Sequence, residues 1–313
     1  MSYKKWVNNL FLNLILLCMI FFIFTFVIYD KFTNRSLINK EYLIVDNSPK
    51  IVFAGDSRAE RQLNVEAARK ILNYKNGDIV NIAISSGDPI MINNLIDRFP
   101  DKFKNTTLVI SISANQMNDN AKEYGFFTES MISKLSYFEQ VNIFQSNPEV
   151  LLRYYFNNIK YHILNKINLL NVKKDYQQTF GFNGIENELD LKQLNIKRLM
   201  KNPWYLNYVD GGIKYKLIND SLKDIKNKVK KLYVYTAPFS PTYLKIVQNT
   251  KLLDYELSFK NRISEICKNN GIKFKNYLHI KELTDQYFYD MSHLNKKGSL
   301  IFTKIILNDF SIK

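Results

Sequence analysis

The sequence predicts a parallel α/β domain, and two observations carry that prediction. Five β-branched or aromatic runs of strand length recur along the chain: KIVFAG at 50–55, DIVNIAIS at 78–85, TLVISIS at 107–113, KLYVYTA at 231–237 and IKFKNYL at 272–278. Between them, NVEAARKILNYK, IMINNLIDRFPDKF, LINDSLKDIKNKVKK and LDYELSFKNRISEICKNN carry apolar residues at helical spacing, with Asn and Gly near several C-terminal ends. Alternating strands and helices build a parallel sheet covered on both faces, a three-layer α/β/α arrangement. Residues 118–212 break the alternation: they are rich in Phe, Tyr, Asn and Lys, show no strand pair, and read as a helical insertion between the third and fourth strands. Scaffold covering the sheet is the plainer role for it, and a lid, substrate platform or partner-docking surface the functional one.

Ahead of this domain, Phe11 to Tyr29 carries no charge. Rising about 1.5 Å per residue as a helix, it would cross roughly 30 Å of bilayer hydrocarbon. The A-x-A pattern of a cleaved signal peptide is missing, and Leu16 and Leu17 before Cys18 do not suit a lipoprotein site, so 1–30 reads as an uncleaved membrane anchor. Lys4 and Lys5 on one side face Lys31, Arg35 and Lys40 on the other, which gives no positive-inside bias. Residues 31–48 read as a linker and 49–313 as the folded domain.

Composition excludes several classes. With 313 residues, 46% of them hydrophobic, the chain can bury a large core and is not disordered. The net charge of +15 is dispersed, and its densest cluster, KDIKNKVKK at 223–231, reads as a solvated helix face; with no recognition motif beside it, no nucleic-acid partner is expected. The two cysteines, Cys18 and Cys267, belong to segments that a disulfide would not join. No H-E-x-x-H or paired C-x-x-C cluster occurs, and neither metal nor cofactor is expected.

The chemistry lies at strand ends. Ser57 follows the first strand directly, and ligands of parallel α/β sheets bind outside the carboxyl ends of the strands. A serine there can simply cap the next helix; a nucleophilic one needs a base, an orienting carboxylate and oxyanion donors. Only three histidines are present. His162, in the aromatic segment RYYFNNIKYHIL, and His279, ending the last strand, read as packing residues. His293 follows Asp290 by three residues, a spacing that lets the carboxylate accept from one ring nitrogen while the other faces a serine. Arg58, beside the serine, is a candidate contact for an anionic substrate, although a local carboxylate is the more ordinary partner for an arginine opening a helix.

These blocks resemble the SGNH, or GDSL-type, hydrolase superfamily. GDS at 55–57 matches its first block, with Ser57 as the nucleophile; NIAISSGDP at 81–89 resembles the second, which gives a backbone N–H to the oxyanion hole; SISAN at 111–115 resembles the third, which gives an asparagine amide; DMSH at 290–293 matches the D-x-x-H of the fifth. The resemblance implies a flavodoxin-like sheet, a triad of Ser57, His293 and Asp290, and an oxyanion hole of Ser57, Gly87 and Asn115. Two assignments stay open. The third block usually reads G-x-N-D, whereas this chain has Ser113-Ala114-Asn115-Gln116 and a literal Asn118-Asp119 downstream. In the second, Ser86 competes with Gly87, which is preferred because glycine lets the backbone approach the reacting oxygen. The G-x-S-x-G elbow of α/β-hydrolases fits less well, because Ser57 opens the domain.

Membrane-tethered members of this superfamily resemble envelope-polysaccharide O-acyltransferases and esterases and D-alanine-transfer proteins. That implies an extracytoplasmic domain transferring or removing an acyl group on a bacterial surface glycan, alongside a multi-spanning membrane acyltransferase. The competing expectations are a non-catalytic envelope-assembly protein and a membrane-bound lipase or lysophospholipase.

Overall fold

The computed structural model describes residues 11–16, 40, 43–119, 138, 179–189, 208–209 and 211–313. The chain divides into two compact units: residues 1–35 with 137–172, and residues 36–136 with 173–313. Of the first, the described residues 11–16 are helical and exposed. No helix among the described residues is long and apolar enough to cross a membrane. Most of the expected anchor, and His162 with most of the expected insertion, lie outside the described residues.

The second unit holds a sheet of five strands: β1 (Ile51–Ala54), β2 (Ile79–Asn81), β3 (Thr107–Ser111), β4 (Lys231–Thr236) and β5 (Lys273–Asn276). All neighbours pair in parallel, in the order β2-β1-β3-β4-β5. Each of the five apolar runs in the sequence thus forms a strand. Every residue of β1 is buried, and of β3 all but Thr107, as strands covered on both faces require. At the edge, β5 alternates exposed Lys with half-buried Phe274 and Asn276.

The strand order fixes where the helices lie. The connection from β1 to β2 carries α1 (Ser57–Gln62) and α2 (Val65–Leu72); the return from β2 across β1 to β3 carries α3 (Pro89–Arg98) and α4 (Pro100–Phe103). Right-handed crossovers in opposite directions place these pairs on opposite faces. Packing agrees: α5 (Ile213–Lys228) lies on α3, and α7 (Lys251–Asn269) on α5, while the C-terminal α8 (Lys296–Asp309) lies on α1 and α2. Beneath α8, Phe302 packs against Tyr235 and Tyr277 at ring centroid distances of 5.7 and 5.3 Å.

Three expectations need adjusting. Pro100 divides the second helical stretch into α3 and α4, because it cannot continue the ladder of the turn before it. A helix not read from sequence, α6 (Pro241–Val247), follows β4, with Ser240 capping Tyr243 N–H. The expected linker is already part of the folded unit by residue 40, where Lys40, Leu43 and Ile44 are buried.

Candidate active site

The turn after β1 explains why a serine can be spared there. Asp56, not Ser57, is the N-cap of α1: its carboxylate accepts from Arg58 N–H at 3.0 Å. Ser57 is therefore the first helical residue, with its hydroxyl released from capping and its own N–H lacking an intrahelical acceptor. From the far end of the chain, His293 brings Nε2 to 2.8 Å from Ser57 Oγ. Asp290 faces the other ring nitrogen, its two oxygens 2.8 and 3.0 Å from Nδ1. Sequence spacing and strand-end placement thus meet in one Ser-His-Asp relay.

The Asp290 loop is built to hold that relay. Asp290 Oδ1 accepts the backbone N–H groups of Ser292 and His293, both at 2.8 Å. Burial would raise its carboxyl, but the His293 hydrogen bond and charge and those two backbone donors bring it down to about 2. Gln62, in the last turn of α1, donates to Ser292 O at 2.9 Å and so fastens the helix of Ser57 to the loop of His293. Nothing in the sequence marked Gln62, since the two residues are 230 positions apart.

The oxyanion candidates sort by what each polar group already does. Asn118 is buried and accepts from Val209 N–H at 3.2 Å, while Asp119 accepts from Ile213 and Lys214 N–H at the start of α5. The literal Asn-Asp pair is thus spent on receiving the end of the insertion. Asn115, in a 3₁₀ turn at Ala114–Met117, keeps a buried amide oxygen with no partner among the described residues. An oxyanion would take a hydrogen bond only from the NH₂ end of this amide, which a flip of the side chain about its last torsion exchanges with the oxygen.

Gly87 N–H is already engaged: it donates to Ile84 O at 2.9 Å and closes a turn in which the exposed Ser86 has φ +62°. Ser86 N–H meets no acceptor among the described residues, so the second block's open donor is at Ser86. Glycine is needed at 87 for a different neighbour: a Cβ there would lie 2.3 Å from Gly55 O, on the turn that leads to Ser57. Gly87→Ala is therefore expected to force the first two blocks apart, costing about 1–3 kcal/mol of stability and lowering turnover, read by thermal melting beside ester kinetics.

Arg58 makes the local carboxylate pairing that a residue opening a helix ordinarily makes. It is 6% exposed, its Nε lies 3.5 Å from Asp56 Oδ2, and its guanidinium stands 4.9 Å from the centre of the Phe239 ring. The local carboxylate has taken it, and it supports the turn from behind. His279 lies past β5 and takes no part in the relay.

The described part of the insertion reaches the same elements. Asn183 N–H donates to Glu60 O on α1, Lys296 N–H at the start of α8 donates to Ile185 O, and Asn81 N–H at the end of β2 donates to Phe180 O. Gly181, at φ +88°, fits there because a Cβ would fall 1.9 Å from Asn81 O. At the other end of the insertion, Tyr208 stacks on Tyr255 at 4.4 Å and its hydroxyl approaches Ala114 O, next to Asn115. Among the described residues no group of His, Cys, Asp and Glu is arranged to hold a metal ion.

Compared with known proteins, the chain matches no family model and no curated protein, and the reading of the site rests on its own geometry.

Proposed function

We propose that this chain is an SGNH-type serine esterase or O-acyltransferase with a three-layer, flavodoxin-like domain, tethered to the bacterial cytoplasmic membrane by its N-terminal apolar run and acting outside it on an acylated envelope polysaccharide. The observation that carries the reading is the relay: Ser57 Oγ 2.8 Å from His293 Nε2, with the Asp290 carboxylate on Nδ1. Ser57 Oγ attacks the acyl carbonyl while its proton passes to His293 Nε2. The oxyanion forms against Ser57 N–H, the Asn115 amide and the second-block turn. As the acyl C–O bond breaks, the same proton goes to the leaving hydroxyl, which leaves acyl-Ser57. Water then gives the free acid, or a sugar hydroxyl gives a new ester, with His293 again taking and returning one proton. The anchor and the order of the four blocks favour a glycan of the envelope, served by a multi-spanning acyltransferase, as the substrate.

The test is fluorophosphonate labelling of the full chain in detergent. Wild type is expected to label, Ser57→Ala not at all, and His293→Ala at a rate lower by about four orders of magnitude. Unlabelled wild-type enzyme is then offered acetylated glycans beside long-chain lipid esters; preference for the lipid esters would turn the reading to a lipase. A folded wild type that does not label would overturn catalysis and leave an assembly protein.

A further inference from the structure

The third block differs from the family pattern at two positions, Ser113 for glycine and Gln116 for aspartate. The structure brings these two residues into one chain of hydrogen bonds. Ser113 Oγ donates to Asp56 Oδ2, on the residue that caps the nucleophile's helix. Ser113 N–H donates to Gln116 Oε1 at 3.2 Å, and Gln116 Nε2 donates to Gly87 O at 2.5 Å. The three loops at the strand ends, after β1, β2 and β3, are thereby joined through side chains found only at the two departing positions and at Asp56.

The chemistry at Gln116 is specific to a carboxamide. One partner is an N–H and the other a carbonyl, so the side chain must accept at one end and donate at the other. Turning the amide over would set donor against donor and acceptor against acceptor, and the partners alone fix its orientation. A glutamate could accept from Ser113 but would face Gly87 O with a second acceptor. Gln116 is 7% exposed and Ser113 fully buried, so each bond is made away from water, where leaving one unmade is costly.

Resting on the serine-hydrolase reading above, we propose that Gln116, coupled through Ser113 to Asp56, is a positioning residue: it holds the Ser86–Gly87 turn and the Asn115 turn at the spacing from Ser57 that the oxyanion requires. The two departures from the family pattern are then one compensated exchange. The residue touches no reacting atom; it acts through the backbone of Gly87 and the turn that carries Asn115.

The experiment uses the full chain in detergent, with p-nitrophenyl acetate as the ester probe and the variants Gln116→Met, Gln116→Glu and Ser113→Ala, read under conditions where each is folded. Misplacing an oxyanion donor by about an ångström can cost up to roughly 100-fold. Gln116→Met and Gln116→Glu are each expected to lower kcat 10- to 100-fold by that reasoning, with KM within about twofold of wild type. Ser113→Ala added to Gln116→Met is expected to cost less than the product of the single losses, because both break one network. Wild-type kcat in Gln116→Met, a raised KM with unchanged kcat, or a Gln116→Glu variant as active as wild type would each overturn the proposal. Backbone hydrogen exchange gives a readout independent of turnover: in Gln116→Met, amides of 84–88 are expected to exchange faster while those of α8 do not change. If a folded wild type turns over no ester, the hydrolase reading falls, and with it the catalytic part of this proposal. The exchange pattern then still decides whether Gln116 joins the two loops.

Discussion

Asp290→Asn is expected to leave the fold intact and lower kcat by about four orders of magnitude. The geometry separates the two outcomes. Asn keeps an oxygen where Asp290 Oδ1 now accepts from Ser292 and His293 N–H, so the loop retains its backbone anchors. The NH₂ group then occupies the place of Oδ2, 2.8 Å from His293 Nδ1, where the carboxylate now accepts. A donor there requires Nδ1 to be the unprotonated nitrogen, which puts the ring proton on Nε2. That nitrogen would present N–H to Ser57 Oγ in place of a lone pair, and it could no longer take the serine's proton. Asp290→Ala, which frees the ring to choose its tautomer but loses its orientation, is expected to be impaired with a different pH profile. Since the Asp290 carboxyl is held at about 2, it stays ionised well below the usual carboxylate range. A depressed folded-state value means that its stabilising contribution is complete above about pH 4, the ordinary value in an unfolded chain, and disappears as pH falls towards 2. The deficit of Asp290→Asn relative to wild type should therefore not shrink between pH 5 and 9 through any titration of Asp290. Activity within tenfold of wild type, checked by steady-state kinetics beside thermal melting, would remove Asp290 from the relay.

The sheet was legible because its strands are apolar runs set between helical periodicities, a signal that needs no knowledge of neighbours. The Asp290 and His293 pair was legible for a similar reason: three residues on one turn bring both to one side. What could not be read depends on partners far along the chain. The preference for Gly87 as an oxyanion donor followed from its freedom to approach another atom closely. That freedom is used, but on Gly55 O, and its N–H is taken by Ile84. Asn115 is preferred to Asn118 in sequence only because it stands closer to the strand end; that the insertion's end arrives at Asn118 is visible only in the fold. Gln116 departs from the usual third block without visible reason in sequence, because one of its partners, Gly87 O, comes from a different loop. Lys40 falls in the stretch that reads as a linker, and its burial is invisible in sequence because its counter-charge, Glu60, is 20 residues away.

Lys40→Met is expected to be among the most destabilising single substitutions in the domain, at about 3–5 kcal/mol. Lys40 is fully buried, and its ammonium donates to Glu60 Oε1 at 3.0 Å, to Gly181 O at 3.1 Å and to Ala83 O. Three donors thus meet acceptors on three separate pieces of chain: helix α1, which begins at Ser57, the second block at Ala83, and the described part of the insertion at Gly181. Methionine fills a similar volume but leaves the 7% exposed Glu60 carboxylate without its cation and two carbonyls without a donor. Burial pulls the Lys40 ammonium below its ordinary value even though Glu60 opposes that with its charge and hydrogen bond. Desolvation thus outweighs the attraction, and the pair is costly to break without being a large net source of stability. The double variant Lys40→Met with Glu60→Leu, which removes both charges together, is accordingly expected to recover at least half of the single variant's loss. For a domain of this size the single change corresponds to a fall of roughly 10 °C in melting temperature. Urea or thermal unfolding of the full chain measures both. A Lys40→Met protein within about 1 kcal/mol of wild type would show that the amine is not committed to these partners, and a double variant as unstable as the single would show that the carbonyls, not Glu60, carry the loss. Because Glu60 lies on the same short helix as Ser57, the chain that leaves the apolar N-terminal run is fastened one turn away from the nucleophile, and turnover in these variants is expected to follow the folded fraction.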